Sequence, residues 1–341
     1  MAGWSLFSSD IAIDLGTANT LIWAKGRGIV LNEPTVVAFD RATRQLIALG
    51  HEAQAMVGKT HRDIRVVRPL KDGVIADFEI AESMLRAFIR RVSTGMLPPR
   101  RVIVCVPVGV TEVEKRAVRD SAEHAGAKDV HLLAEPMAAA IGVGIDVHEP
   151  MGNMIVDIGG GTTEIAVIAL SGIIVEESIR IAGDEMTNAI IQYFRRQYNM
   201  LIGERTAEVI KCQIGSAIPL EEEYEIEVRG RNLVSGIPQM LRVSSEEIRQ
   251  ALEEPIAAIV QAVLSLLERV PPELAADIYE RGIILTGGGA LLKGLDRRLE
   301  QATELPVHVA EDPLTAVVRG GGKVLENFEQ YQSVLLKPYR L

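Results

Sequence analysis

The feature that most constrains this chain is that it repeats itself. Ile11-Ala-Ile-Asp14, a glycine turn, Thr20-Leu-Ile-Trp-Ala24, a second turn at Lys25-Gly-Arg-Gly28 and Ile29-Val-Leu31 read as three strands joined by tight turns. The pattern returns at Met154-Ile-Val-Asp157, a glycine turn, Thr163-Glu-Ile-Ala-Val-Ile168, Ser171-Gly172 and Ile173-Ile-Val175. Asp14 and Asp157 stand 143 positions apart, too long a period for a solenoid repeat. The duplication predicts two related domains, as does a length of 341 residues, more than one typical core holds.

Short apolar runs alternate with amphipathic stretches throughout, so both domains are expected to be α/β. Domain I is placed at about 1–146 plus 312–341, with an insertion at about 32–70. Domain II is placed at about 147–311, with an insertion at about 182–245. Arg101 to Val106 reads as a strand, followed by a helix from a Thr111-x-x-Glu114 capping box to near Gly126. A long helix is expected around Ser245 to Val270, kinked or started late by Pro255. In the second insertion, Tyr224 to Val228 alternates as a strand ahead of a turn at Arg229-Gly-Arg-Asn232. Glu221-Glu-Glu223 reads as a solvated strand face sooner than as an acidic interaction patch.

Composition removes several functions. The net charge of −10, with no Lys/Arg-rich run, argues against nucleic acid as a partner. No uninterrupted apolar run approaches the ~18 residues of a membrane span, and the first nine residues lack the cations of a secretory signal. Cys105 and Cys212 form no disulfide framework and suit a reducing cytoplasm. Scattered histidines and cysteines give no transition-metal spacing.

Three glycine motifs carry chemistry. Asp14-Leu-Gly16-Thr17-Ala18-Asn19-Thr20 ends a buried strand on a carboxylate and follows it with a small-residue turn. Backbone N–H groups there can meet a phosphate, although a hairpin turn capped by aspartate explains the same residues. Asp157-Ile-Gly159-Gly160-Gly161-Thr162-Thr163 is harder to explain by packing, since three successive glycines forfeit order. Two such turns on duplicated halves predict a clamp across a cleft, holding polyphosphate while Asp14 and Asp157 hold a hydrated Mg²⁺. Thr286-Gly287-Gly288-Gly289-Ala290-Leu291 follows a strand and is expected to open a helix. It offers an anion site, a platform for base and sugar, or tight packing alone. It matches neither the Rossmann nor the Walker glycine spacing.

Glu135, ahead of Pro136, is either a carboxylate favoured by a helix dipole or the group that orients an attacking water. Glu208 and Lys211 share a helix face and read as a surface pair sooner than as a wall for ribose and base.

Taken together, these residues resemble the phosphate-1, phosphate-2 and adenosine motifs of the actin, heat-shock-chaperone and sugar-kinase superfamily. Within it the likeness is closest to the bacterial actins of the MreB family. Ile13 to Leu21, Asp72-Gly-Val-Ile-Ala-Asp77, Glu135 to Gly142, Val156 to Glu164 and Leu285 to Leu292 carry it, over about Ser9 to Glu326. The resemblance implies an actin-like fold of four subdomains, with ATP and Mg²⁺ in a central cleft and slow ATP hydrolysis coupled to polymerisation. It also implies antiparallel double filaments on the inner face of the cell membrane, which maintain rod shape by organising cell-wall elongation with RodZ, MreC and MreD. By motif, Asp14, Gly16, Thr17, Ala18, Asn19 and Gly159 to Thr162 would contact phosphates or metal. Glu208, Val209, Ile210 and Lys211, with Gly287, Gly288, Gly289, Ala290 and Leu291, would contact adenosine. Glu135, Thr162 and Asp157 would serve hydrolysis, and the insertions would make longitudinal filament contacts. The chain departs from the family at Thr187 and Ala134, where an acidic residue is common.

For membrane contact, the loop Ser93-Thr-Gly-Met96-Leu97-Pro-Pro99 puts two apolar side chains between Arg90, Arg91, Arg100 and Arg101. An inward-packed Met96, with the arginines serving a helix end, is the alternative. Trp4 and Phe7 form a second, shorter candidate without cations. A small-molecule kinase on the same fold would need a further general-base carboxylate, and none presents itself. A chaperone ATPase would need a substrate module, and the sequence runs only about fifteen residues past the matched region.

Overall fold

The computed structural model describes residues 10–93 and 99–337. They divide into two compact units: residues 10–151, 168–174 and 314–337 in the first, 152–167 and 175–313 in the second.

The first unit opens with β1 (Ile11–Leu15), β2 (Asn19–Ala24) and β3 (Gly28–Pro34), an antiparallel meander in which Asp14 pairs with Leu21. β4 (Val37–Asp40), β5 (Leu46–Leu49), α1 (Gly50–Met56) and β6 (Ile64–Val67) form the inserted layer around a small core of Val36, Ala38, Ala48 and Ala53. β7 (Leu70–Lys71) and β8 (Val74–Ile75) are the arms of a hairpin whose turn residues, Asp72 and Gly73, both have positive φ. Asp-Gly is the residue pair such a turn selects. α2 (Phe78–Val92) is capped by Asp77, which accepts the Ile80 N–H, and buries Ile80, Met84, Phe88 and Val92 as one stripe. β9 (Arg101–Val106), α3 (Glu112–His124), β10 (Asp129–Ala134) and α4 (Glu135–Val143) complete this part. The expected Thr111/Glu114 capping box starts α3. The main sheet runs β3-β2-β1-β9-β10, with β1, β9 and β10 parallel.

The second unit repeats the plan. β11 (Asn153–Ile158), β12 (Thr163–Ala169) and β13 (Gly172–Ile179) precede α5 (Gly183–Tyr198), β14 (Met200–Leu201) and α6 (Glu204–Ile214). β15 (Glu225–Asn232) and β16 (Pro238–Ser244) join β14 in the inserted sheet. α7 (Ser245–Leu267), α8 (Pro272–Arg281), β17 (Ile283–Thr286), α9 (Leu295–Thr303) and β18 (Val307–Val309) follow. The main sheet runs β13-β12-β11-β17-β18, the order of the first unit's sheet element for element. The chain then returns to the first unit with α10 (Ala316–Glu326) and the short α11 (Phe328–Tyr331).

Local expectations change in four places. α7 passes through Pro255 without a break, starting at a Ser244/Glu247 capping box. A proline inside a helix costs about 3 kcal/mol. Leu252, Ile256, Ile259, Val263 and Leu266 are fully buried in the unit's core, and at roughly 1.5–3 kcal/mol each they outweigh that cost. α7 is, by length and composition, the one described helix apolar enough to cross a bilayer, but these side chains face the core. β15 runs through Arg229 to Asn232, and the turn follows it, where Asn232 Oδ1 accepts the Val234 and Ser235 N–H groups. Gly230 is there for closeness, since a Cβ would meet the Leu201 carbonyl at 2.6 Å. Glu221 to Glu223 precede the strand, and Glu223 pairs with Arg249 at 2.8 Å. After β17 the chain makes only a 3-10 turn at Gly288–Leu291, and the helix begins at Leu295.

Candidate functional site

In the first unit the β1–β2 turn is braced from two sides. Thr35 Oγ1 donates to the Gly16 carbonyl at 2.7 Å, and the Thr35 N–H donates to the Ala18 carbonyl at 2.9 Å. From the other side the Gly73 N–H donates to Thr17 Oγ1 at 3.0 Å, docking the Asp72-Gly73 hairpin on the loop. A Cβ on Gly16 would come within 2.8 Å of the Asn19 carbonyl, so the turn closes only with glycine there. Asp14, one residue before the end of β1, is half-buried. Nothing in the sequence motifs singles out Thr35 or the Gly73 amide; the Asp72-Gly73 pair, typical of a tight turn, is the signal that could have found the second.

In the second unit the Gly159 N–H closes the β11–β12 turn on the Thr162 carbonyl at 2.9 Å. The start of α5 docks on the same turn: Gly183 N–H donates to the Gly159 carbonyl at 3.1 Å and Asp184 N–H to the Gly160 carbonyl at 2.7 Å. Asp157 is buried and accepts a hydrogen bond from Thr286 Oγ1 at 3.0 Å. Burial raises its carboxyl to about 6 against the smaller pull of that bond. A carboxylate so poorly compensated within the chain suits a cation. Among the described residues no group of three or more His, Cys, Asp or Glu side chains forms a metal cage.

The third glycine run packs against this carboxylate. Gly287 has φ +79°, and a Cβ there would meet the Ile158 carbonyl at 2.3 Å and Asp157 Oδ1 at 2.6 Å. On Gly289 a Cβ would strike the Ile158 side chain at 2.2 Å. Close packing therefore accounts for both glycines. Ala290 is buried, and Leu291 is exposed.

The four consecutive residues expected along adenosine, Glu208 to Lys211, fall on three faces of α6. Ile210 is 1% exposed and belongs to the core, and it also lines the groove beside Val209. Val209, with Arg205, Thr206 and Gln213, lines a groove of about 420 Å³ against Ile226 to Arg229 of β15. Glu208 and Lys211 do form a pair, with Glu208 half-exposed and Lys211 largely covered: Lys211 Nζ lies 2.7 Å from Glu208 Oε2 and 2.8 Å from the Gly183 carbonyl. Burial pushes the Glu208 carboxyl up, but Lys211 and the Thr187 hydroxyl outweigh it and leave the group below its ordinary value. Thr187, noted only as a departure from the family, is the hub of this cluster.

Glu135 is buried as the first residue of α4, directly after β10. α4 is set by close packing on α10: a Cβ on Gly142 would lie 1.9 Å from the Ala316 carbonyl, and one on Gly320 1.7 Å from the Ala138 carbonyl. The small residues after Glu135 are thus the contact surface that fixes where its helix begins.

Met96, Leu97, Trp4 and Phe7 lie outside the described residues. Of the arginines beside Met96, Arg91 pairs with Glu33 at 2.9 Å, and Arg101 pairs with Asp129 at 3.3 Å and stacks on Phe328. Arg90 and Arg100 are exposed and form no ion pair among the described residues.

MreB 5 of Spiroplasma citri bound to AMPPNP superposes with a TM-score of 0.90 and 42% identity, covering 94% of this chain and 97% of that one. The same protein bound to ADP gives 0.89. The MamK double helical filament gives 0.78 at 21% identity, a likeness of fold alone. In sequence the chain is 58% identical to the cell shape-determining protein MreB of Escherichia coli (strain K12), over 96% of each chain. It is 50% identical to the cell shape-determining protein Mbl of Bacillus subtilis (strain 168), over 95% of this chain and 98% of that one. These relatives do not favour a small-molecule kinase or a chaperone. With the MreB/Mbl protein model also matched across residues 8–333, the chain, actin-like in fold, belongs to the MreB/Mbl family.

Proposed function

We propose that this chain binds ATP with Mg²⁺, polymerises in the ATP form, hydrolyses the nucleotide slowly, and as a filament on the inner face of the cell membrane determines cell shape. The cell-shape role follows from family membership and from the relatives named for it. What supports nucleotide binding is the pair of braced glycine turns, one in each unit, each beginning two residues after a strand-end aspartate. A relative's structures hold AMPPNP and ADP.

In this reading the backbone amides of Gly16 to Asn19 and of Gly159 to Thr162 take the phosphates, held in place before the ligand arrives. Asp14 and Asp157 would hold Mg²⁺, which when bound would supply charge to neutralise the phosphate oxygens. Glu135, fixed at the head of α4, orients the attacking water with Thr162. Such catalysis is mainly positioning. Gly287 to Leu291, with Glu208, receive adenosine. The filament is an antiparallel pair of protofilaments with longitudinal contacts through the inserted layers. Met96 and Leu97, with Trp4 and Phe7, contact anionic lipid, and RodZ, MreC and MreD are its partners in wall elongation. ATP and ADP would bias assembly by differing affinity for its states.

Pelleting with ATP, ADP or no nucleotide, with and without anionic vesicles, tests the reading. Polymer that forms equally in all three conditions sinks the gating. Glu135→Ala should slow phosphate release roughly 10²-fold or more, the scale of losing a positioned general base, while ATP affinity stays within about twofold.

A further inference from the structure

We propose that Lys323 is a positioning residue for hydrolysis, setting from the far end of α4 how far forward that helix presents Glu135. The inference rests on the reading of Glu135 as the group that orients the attacking water. The contact between α4 and α10 fixes one coordinate well and another poorly. Gly142 lies against the Ala316 carbonyl and Gly320 against that of Ala138, so closely that neither position admits a Cβ. Backbone meeting backbone sets the separation of the two helices. Register along the axis is ordinarily set by side-chain ridges seated in grooves. Here α4 brings Ala138, Ala139, Ala140 and Gly142, and α10 brings Gly320, Gly321 and Gly322. Faces this smooth have few ridges, so directional bonds must hold the register.

Lys323 supplies them. The last four carbonyls of a helix have no partner within it. In α4 the Ile145 and Gly144 N–H groups turn back to the Ala140 and Ile141 carbonyls, at 3.0 and 3.1 Å. Lys323 Nζ reaches across from α10 and donates to the Ile141 carbonyl at 2.9 Å and to the Gly142 carbonyl at 3.2 Å. An ammonium there also meets the negative end of the helix dipole. The place is a costly one for a cation. Burial, and after it the Arg319 charge on the preceding turn of α10, hold the Lys323 ammonium below the usual lysine range. A methionine would fill much of the same space without that cost, so packing alone does not ask for lysine. Glu135 stands seven residues before Gly142, about 10 Å up the helix at 1.5 Å per residue. A helix this short moves as a rod, and a slip at its tail is an equal slip at its head.

The test compares full-length wild type, Lys323→Met, Lys323→Arg, Glu135→Ala and the double variant Lys323→Met/Glu135→Ala. Phosphate release is measured at saturating ATP per amount of pelleted polymer, and ATP affinity separately. A misplacement of about 1 Å costs on the order of 10²-fold in rate. Lys323→Met should therefore slow phosphate release roughly 10- to 100-fold while ATP affinity stays within about twofold. Lys323→Arg, which keeps the charge and the donors, should recover most of the rate. In the Glu135→Ala background, Lys323→Met should add less than about twofold, since no carboxylate is left to misplace. An unchanged rate in Lys323→Met, or its full effect repeated in the double variant, overturns the proposal. Crystal structures of wild type and Lys323→Met, superposed on the first unit's main sheet, read the position without any turnover. Glu135 Cα should move along α4 by on the order of 1 Å, and a Glu135 that stays in place also overturns the proposal. Should Lys323→Met fail to fold, Lys323→Gln, which keeps a neutral donor, takes its place in both measurements. Glu135→Ala releasing phosphate at the wild-type rate would instead end the reading of Glu135, and the two crystal structures would still decide whether Lys323 sets the register.

Discussion

Asp157 sets a conflict that a single substitution can expose. Its folded carboxyl titrates at about 6, against an ordinary value of 3.8. A raised acid means that the folded chain binds the proton more tightly than the unfolded one. The group's stabilising share is complete below about pH 4 and is lost as pH climbs to 6. At neutral pH the ionised group then costs up to about 3 kcal/mol, at 1.36 kcal/mol per pH unit. Asp157→Asn keeps an oxygen to accept from Thr286 and removes the charge. Without nucleotide or metal, it should raise the denaturation midpoint at pH 7.5 and flatten the fall seen in wild type between pH 4 and 6.5. Equal slopes for the two proteins would show that Asp157 carries no such burden. The same substitution should weaken Mg²⁺-dependent nucleotide binding, which separates the cost of the charge from its use.

At the scale of elements, glycine decides against its own helix propensity. Ala is favoured over Gly inside a helix by about 1 kcal/mol, so α10, with Gly320, Gly321 and Gly322 in a row, looks poorly built. Its closeness to α4 reverses the sign. Gly320→Ala would place a methyl 1.7 Å from the Ala138 carbonyl, and the helices must part. Overpacking of this kind costs about 1–3 kcal/mol or more, so a net loss of roughly 2 kcal/mol is expected by chemical denaturation, with ATP turnover falling as the head of α4 moves. A more stable Gly320→Ala would mean that α4 is not held by this contact. The sequence made the strands, the capping boxes and the duplicated order legible, because alternation and side-chain caps are local signals. It hid the reasons for the glycines at 142, 230, 289 and 320, each of which answers to a residue far along the chain. It also grouped Glu208 to Lys211 as neighbours, whereas a helix turns successive residues to different faces: Glu208 and Lys211 pair, while Val209 and Ile210 line the groove.

For the molecule as a whole, charge limits how one chain can meet a membrane. A net charge of −10 repels an anionic surface, so any attraction must be local. Two of the four arginines beside Met96 are already committed, Arg91 to Glu33 and Arg101 to Asp129 and Phe328. Arg90 and Arg100 remain, and a cation near such a surface is worth about 1 kcal/mol. On the proposed attachment, one chain would hold on by roughly 2 kcal/mol of electrostatics, too little for stable binding. A filament that repeats the contact along one face multiplies it. Arg90→Ser with Arg100→Ser should lower binding to anionic vesicles about thirtyfold for unassembled chain and more steeply for polymer, leaving pelleting in solution intact. Arg91→Ser with Arg101→Ser should cost stability and leave the dependence on anionic lipid unchanged. Vesicle co-sedimentation across a series of anionic lipid fractions, with ATP and with ADP, reads both. If the second pair abolishes vesicle binding while the first does nothing, the arginines facing lipid are the paired ones, and this account of attachment is wrong.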